Sequence, residues 1–322
     1  MLNEGAGVSG TVPSLLLGLD FSCAPTARKP LTLARGQRVG QVVRLERVDA
    51  LPTLQHLEVL LGTVAGGPAD RLTGRFIMGC DFPFGLPRPF VEALQAHGPG
   101  HLPRELAAPG TVDDVPARAP ADTLIHALHR HCGDRAGFQR LIDGWGDTWQ
   151  PERGKAGKLL HRRTDRAVPG LSSTSPLQTR YVPVGKMYFE GMVRLVAADL
   201  TLPGLRSGRP DAIALEAYPG LLAGEILRGR SYKSETDASA DRLMARMDLI
   251  DALEQGRTRL GLRLKLGHAQ REHLASDPKG DRLDAVLCLM QAAWADACRQ
   301  AGDARWGLPP DVDPVEGWIL TA

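Results

Sequence analysis

Length, composition and charge narrow the class of protein. The chain has 322 residues, 43% of them hydrophobic and 24% charged, which suits one large α/β domain or two small ones. The formal net charge is only +2, so overall charge does not indicate a nucleic-acid binder. The five cysteines form no C-x-x-C pair, which argues against a disulfide framework and a structural zinc site. Because no segment approaches the roughly 20 apolar residues of a membrane span, we expect a soluble, cytoplasmic protein.

The first third of the chain alternates between apolar strands and helical stripes. Residues 1–13 are expected to form a flexible leader. A continuous apolar run is typical of a buried central strand, and apolar residues at helical spacing predict a helix. In chain order, the predicted elements are a strand at 15–19 that ends at Asp20, one or two strands at 30–49 with a hairpin at Gly36 or Gly40, a helix at 51–64, a strand at 75–80 that ends at Asp81, and a helix at 89–97.

Beyond residue 97 the composition shifts to Pro, Gly and Ala, which predicts a largely helical and irregular insertion at about 98–180. From there, the predicted elements are a loop at 98–120, a helix at 121–142, an irregular segment at 145–177, a helix in the second half of 181–199, a strand at 212–219 with Glu216 near its end, and helices at 241–255 and 281–300. We therefore expect a single α/β domain over 14–322, with both faces of its sheet covered by helices.

Three of the predicted strands have an acid at or near their end: Asp20, Asp81 and Glu216. Ligands of α/β sheets bind beyond the carboxyl ends of the strands, so these acids can converge there. Each one alone is more often a turn residue or a helix cap. Asp281 and Asp284 lie on one face of the last helix, near its start. Capping explains Asp281, whereas Asp284 adjoins an apolar face and needs a partner such as a metal ion.

Clustered carboxylates have a chemical use. They repel one another and raise each other's pKa unless a cation is present. Oxygen ligands suit Mg²⁺ or Mn²⁺, and two such ions about 4 Å apart can activate water and stabilise the leaving oxygen of a phosphodiester. The sequence therefore predicts a carboxylate-bound Mg²⁺ or Mn²⁺ site for cleaving phosphodiester bonds.

Four motifs carry a family resemblance. They are Gly18-Leu19-Asp20-Phe21-Ser22, Gly79-Cys80-Asp81-Phe82-Pro83-Phe84-Gly85-Leu86-Pro87, Glu216-Ala217-Tyr218-Pro219 and Asp281-x-x-Asp284-Ala285. In this order they resemble a domain-of-unknown-function family, number 429, whose members are described as predicted RNase H-like nucleases. Further landmarks of that family resemble Arg163-Thr164-Asp165, Pro183-Val184-Gly185-Lys186-Met187 and Ser231-Tyr232-Lys233. The resemblance extends over about 15–318.

The resemblance implies an RNase H-like fold, a central five-stranded mixed β-sheet flanked by helices. Metal-binding acids of that superfamily lie on the first strand, the fourth strand and the last helix. Asp20 is then the central bridging ligand. Asp284 is the ligand from the last helix, in a D-x-x-D-A spacing that resembles RuvC-type junction resolvases. Asp81 and Glu216 compete for the strand position. Asp281, a near neighbour of Asp284, is a further candidate metal ligand.

Two clusters of basic residues are candidates for contacts to a phosphate backbone. They lie at 151–166 and 257–271, and solvated surface is an equally good interpretation of both. Near the acids, Arg163, Lys186 and Lys233 are candidate substrate ligands, with plain surface charges or ion pairs as the alternative.

The predicted function is a metal-dependent nuclease that acts on DNA or RNA. One alternative is a non-catalytic nucleic-acid-binding or scaffold protein that has the same fold. Another is a small-phosphoester hydrolase or phosphotransferase. Phosphotransfer is disfavoured because no glycine-rich phosphate loop follows Asp20 and no G-x-x-x-x-G-K-[ST] motif is present.

Overall fold

The structure is a computed structural model that describes residues 14–67, 71–97, 120–145, 159–169, 173–237 and 239–322. The leader predicted at 1–13, nearly all of the loop predicted at 98–120, and part of the irregular segment predicted at 145–177 lie outside the described residues. Within the described ranges, no helix is both long enough and apolar enough to cross a lipid bilayer.

Seven strands within these ranges form one mixed sheet. They are β1 (Leu15–Asp20), β2 (Leu31–Val39), β3 (Val42–Leu51), β4 (Phe76–Asp81), β5 (Leu200–Thr201), β6 (Arg209–Glu216) and β7 (Arg263–Lys265). Their order across the sheet is β5-β6-β4-β1-β2-β3-β7. β1, β2 and β3 form an antiparallel meander, whereas β4 and β6 run parallel to β1 on its other side. The carboxyl ends of β1, β4 and β6 therefore lie at the same end of the sheet.

Nine α-helices lie in the described part of the chain. They are α1 (Leu54–Leu61), α2 (Arg88–His97), α3 (Pro120–Cys132), α4 (Arg135–Gly144), α5 (Val184–Ala197), α6 (Pro219–Leu227), α7 (Ala240–Glu254), α8 (His268–Ala275) and α9 (Asp281–Gln300). The prediction of one helix at 121–142 is wrong. α3 ends at Cys132, Gly133 follows it with a φ of 72°, and Asp134 then starts α4 by accepting a 2.7 Å hydrogen bond from Gly137 N.

Helices cover both faces of the sheet. Side chains alternate along β1, so Leu17 and Leu19 join an apolar cluster with α1 to α5, whereas Leu16 joins a second cluster with α6 to α9. Burial on both faces explains why the central strands are continuous apolar runs. The predicted α/β class, with a mixed sheet flanked by helices, is confirmed.

Two glycines allow α9 to lie directly on the sheet. Gly18 of β1 and Gly79 of β4 are partners in the β1–β4 register. A Cβ on Gly18 would lie 2.0 Å from the carbonyl oxygen of Ala285, and one on Gly79 would lie 2.5 Å from that of Cys288. Any side chain at either position would push α9 away from the sheet, since packed interiors have no space for the extra atom.

The structure decides one open detail of the expected sheet and differs from it in another. The β2–β3 turn lies at Gly40, one of the two predicted positions, whereas Gly36 lies inside β2 at a register shift. The sheet also has two strands beyond the five that the resemblance implies. Both additions, β5 and β7, are only two and three residues long and lie at the edges of the sheet.

Candidate metal centre

Three of the predicted acids converge where α9 begins. Asp20 ends β1 and Asp81 ends β4, and the two are partners in the parallel register. Each follows a glycine by two residues, so side-chain alternation directs both carboxylates to the face that α9 covers. Asp284 lies in the first turn of α9. One carboxylate oxygen from each residue lies within 4.8 Å of the other two.

We call Asp20, Asp81 and Asp284 the carboxylate trio. Asp284 is only 2% exposed, and Asp20 and Asp81 are half-buried. Burial raises the pKa of Asp20 well above its ordinary value, and repulsion from Asp284 and Asp81 raises it further. Burial and then repulsion from Asp284 raise the pKa of Asp81 to about 7. The trio therefore holds its full negative charge poorly unless a cation joins it.

Lys233 and Tyr232 contact the trio from the segment after α6. The Lys233 ammonium donates to one oxygen of Asp284, and the Tyr232 hydroxyl donates to the other. Burial by itself would lower the pKa of Lys233, but attraction to Asp284 and Asp81 outweighs it and raises the pKa above its ordinary value. The Lys233 side chain is still 46% exposed. It therefore lies beside both the acids and the solvent from which a substrate would approach.

Glu216 was predicted as a further ligand, but the structure does not bring it into the trio. Its carboxylate is paired with the Arg162 guanidinium, at 2.6 and 2.8 Å, and also accepts a 2.8 Å hydrogen bond from Phe84 N. The reason lies in the register. Glu216 is the partner of Cys80 rather than Asp81, so its side chain points to the opposite face of the sheet.

Asp281, also predicted as a metal ligand, lies beside the trio but is not among the acids whose oxygens come together. It is half-buried at the first position of α9, and burial, with repulsion from Asp277, raises its pKa. Lys29, from the loop between β1 and β2, opposes that rise by attraction. Lys29 also pairs with the exposed side chain of Glu235. Lys29 is therefore shared between Asp281 and Glu235 at the rim of the site.

The structure does not bring the two other predicted substrate ligands to the trio. Arg163 pairs with Asp311 at 2.7 Å, and its guanidinium lies over Trp318. Lys186 lies on α5, which packs against the face opposite α9, and its charge acts on Cys23. Of the three candidates, Lys233 alone contacts a trio acid through a bond that the structure records.

Half of the described basic residues in the two clusters form ion pairs with acids. In the first, Arg162 is buried against Asp165 and Glu216. In the second, Arg259 pairs with Glu225, and Arg271 with Asp251 and Glu254. Three other basic residues of the first cluster lie outside the described residues: Arg153, Lys155 and Lys158. Surface ion pairing is thus the simpler interpretation of the described members.

Sequence reasoning missed three contributors to the site: the steric role of Gly18 and Gly79, the Tyr232 hydroxyl, and the partner of Glu216. The sequence did contain a signal for the two glycines, because β1 and β4 share the same Gly-x-Asp spacing. The pairing of Arg162 with Glu216 joins residues 54 positions apart, and no local pattern signals it.

The donor set of the trio fits a hard divalent cation. Three carboxylates supply oxygen ligands only, which Mg²⁺ and Mn²⁺ prefer. Within the described residues, the trio is the group of acids, histidines or cysteines whose ligand atoms come close enough to hold an ion. Its raised pKa values indicate negative charge that a cation would neutralise.

The chain matches no protein-family model, no curated protein and no solved structure. These comparisons neither support nor contradict the resemblance to family 429, which stays a prediction.

Proposed function

We propose that this chain is a metal-dependent nuclease with an RNase H-like fold, which hydrolyses phosphodiester bonds of DNA or RNA at the carboxylate trio. The observation that carries the proposal is the convergence of three carboxylates from β1, β4 and α9, with ligand oxygens within 4.8 Å of one another. Buried, mutually repelling acids destabilise a protein, so their convergence is best explained by a cation that they bind.

The strand arrangement supports the RNase H-like part of the proposal. The five longer strands, in the order β6-β4-β1-β2-β3, form the centre of a mixed sheet with helices on both faces. In chain order, the trio acids lie on the first strand, the fourth strand and the last helix. Those are the three positions that the resemblance implies for metal ligands.

Hydrolysis requires a defined change of bonds. The oxygen of a water molecule bonds to phosphorus, the bond from phosphorus to the leaving oxygen breaks, and that oxygen takes up a proton. A bound Mg²⁺ or Mn²⁺ supplies Lewis acidity, which lowers the pKa of water and offsets the charge of the transition state. Asp20 is repelled by both other trio acids and by Asp281, which supports a central place for it among the residues that would hold the ion. Lys233, beside Asp284 and half-exposed, is positioned to attract a phosphate oxygen.

Calorimetric titration with Mn²⁺ followed by nuclease assays tests the proposal. We expect the wild-type protein to bind Mn²⁺ and Asp20→Asn to lose that binding, because a charged ligand becomes a near-isosteric amide. Asp211→Asn is the matched control, since Asp211 is an exposed acid near the opposite end of β6. It should bind as the wild type does. Single-stranded, duplex, hybrid and branched substrates then identify the nucleic acid that is cut.

Each outcome discriminates between functions. Metal binding with cleavage that Asp20→Asn abolishes supports the nuclease. Metal binding without cleavage of any nucleic acid would redirect the assignment to a small phosphoester. An absence of Mn²⁺ binding in the wild type would contradict the metal site and favour a non-catalytic binding protein.

A further inference from the structure

Hydrogen bonds hold the backbone on both sides of Lys233 in place. Ser234 N donates to Pro278 O at 2.9 Å, which ties the segment to the loop before α9. Arg246 of α7 donates to Tyr232 O at 2.8 Å. The Ser231 hydroxyl donates to Lys233 O at 3.0 Å. The ammonium therefore lies against Asp284 because its own main chain is fixed to the helices around the site.

Gly280 makes room for this arrangement. It precedes α9 with a φ of 77°, and a Cβ there would lie 2.9 Å from Lys233 Cβ and 3.3 Å from Tyr232 Cε2. A side chain at this position would therefore displace Lys233 and Tyr232 together. The close approach indicates that the location of the lysine is built into the fold.

The charges at the site can be counted from their partners. The trio contributes three negative charges, and Glu216 is not part of it because it lies on the other face of the sheet, paired with Arg162. Asp281 lies outside the trio at the rim, where it is attracted by Lys29, which also pairs with Glu235. Lys233 leaves a net charge of two negatives at the trio, which a single divalent ion balances. Two divalent ions together with Lys233 would place five positive charges against three negative ones.

We propose that Lys233 takes the place of a second metal ion, so that the trio binds one divalent cation and the ammonium supplies the other positive charge beside Asp284. This inference rests on the proposed metal site and specifies how that site is charged. The single ion lies among the trio oxygens, and Lys233 remains next to Asp284 to contact the phosphate of the substrate. Lys233 thus determines how many ions the site accepts.

Counting bound Mn²⁺ tests the proposal without any measurement of activity. Equilibrium dialysis with electron paramagnetic resonance of the protein-bound ions gives both the number of ions and the coupling between close pairs. We expect one ion per wild-type chain, with no coupled pair. Lys233→Met keeps the apolar stem but removes the charge, so it should bind the first ion at least about tenfold more tightly and take up a second, coupled ion at millimolar Mn²⁺.

Three further variants complete the test. Lys233→Arg retains the charge and should still bind one ion, and Lys233→Gln, a polar substitute for a half-exposed position, should act like Lys233→Met. Lys265→Met is the matched control, because Lys265 is exposed on β7 at the far edge of the sheet. It should leave both the number of ions and the affinity unchanged.

The outcomes separate this inference from the function on which it rests. A coupled pair of Mn²⁺ ions in the wild type, or unchanged ion number and affinity in both neutral variants of Lys233, would overturn the inference and leave the metal site intact. The number of Mn²⁺ ions bound by the wild type tests the inference even if a variant fails to fold. If neither the wild type nor any variant binds Mn²⁺, the result contradicts the proposed metal site itself, and with it the proposed function.

Discussion

Two groups of buried acids lie near the carboxyl ends of the central strands, on opposite faces of the sheet. In the Arg162 network, formed by Arg162, Asp165 and Glu216, one guanidinium meets both carboxylates at 2.6 to 2.9 Å. In the carboxylate trio, three acids share the half-exposed ammonium of Lys233. In the first group both carboxylates are bonded to the guanidinium, whereas in the second only Asp284 contacts the ammonium. From this contrast we infer that the network stabilises the fold, and we propose that the trio binds a cation.

A register difference of one residue separates the two groups. Asp81 is the partner of Asp20 across β1 and β4, whereas Glu216 is the partner of Cys80 across β4 and β6. Because side chains alternate along a strand, Glu216 points away from α9 and meets the segment that carries Arg162.

Removing the cationic side chain from each group should have the largest effect on the free energy of unfolding, and the effect should differ between the two groups. Arg162→Met leaves two carboxylates buried without their partner, and we expect a loss of about 3–5 kcal/mol in the free energy of unfolding. Lys233→Met removes a half-exposed partner and should cost less, because Asp284 keeps its hydrogen bond from the Tyr232 hydroxyl. Urea denaturation of both variants measures this. Equal losses would remove the distinction between the groups.

Adding a methyl group between α9 and the sheet should disturb the trio without changing any of its acids. Gly18→Ala places a methyl group against the backbone of α9, and we expect about 1–3 kcal/mol of destabilisation together with weaker Mn²⁺ binding. Gly224→Ala is the control, because a Cβ at this α6 position meets nothing within 4 Å. It should be neutral or stabilising. Normal metal affinity in Gly18→Ala would mean that the trio does not depend on the contact of α9 with the sheet.

Neutralising a trio acid should stabilise the metal-free protein. The pKa of Asp81 rises from an ordinary value of 3.8 to about 7 in the folded chain, so the folded state keeps a proton that the unfolded state has lost. Stability therefore falls as the pH rises from about 4 to about 7, and the loss is complete above that range. We expect Asp81→Asn to raise the free energy of unfolding at pH 8 by about 1–2 kcal/mol.

Thermal melts in a chelating buffer measure this gain, and melts with added Mn²⁺ should show the wild type recovering more stability than Asp81→Asn. A variant that is less stable than the wild type at pH 8 without metal would mean that the Asp81 carboxylate is already neutralised within the protein.

The smallest effects should come from predicted substrate ligands that lie away from the trio. Arg163→Ala removes an exposed ion pair with Asp311, and Lys186→Ala removes a charge on the opposite face of the sheet. We expect either variant to change the free energy of unfolding by less than about 0.5 kcal/mol and to leave Mn²⁺ affinity unchanged by calorimetry. A large loss of affinity in either variant would mean that the site extends beyond the trio and Lys233.

The sequence predicts the parts of this protein that depend on local patterns. Apolar runs that end in acids located β1, β4 and β6, and the i, i+3 spacing of Asp281 and Asp284 located the start of α9. The face to which each acid points depends on register between strands, which no single strand encodes. For this reason the trio was predicted together with Glu216, and the break between α3 and α4 at Gly133 was hidden by a continuous apolar stripe.

Anomalous diffraction from crystals of the protein grown or soaked in Mn²⁺ tests the proposed metal site directly. We expect an anomalous peak whose ligands are carboxylate oxygens of Asp20, Asp81 and Asp284 at about 2.1 Å, with Glu216 still paired to Arg162. Crystals with no peak at the trio, or with a peak that has Glu216 among its ligands, would contradict it.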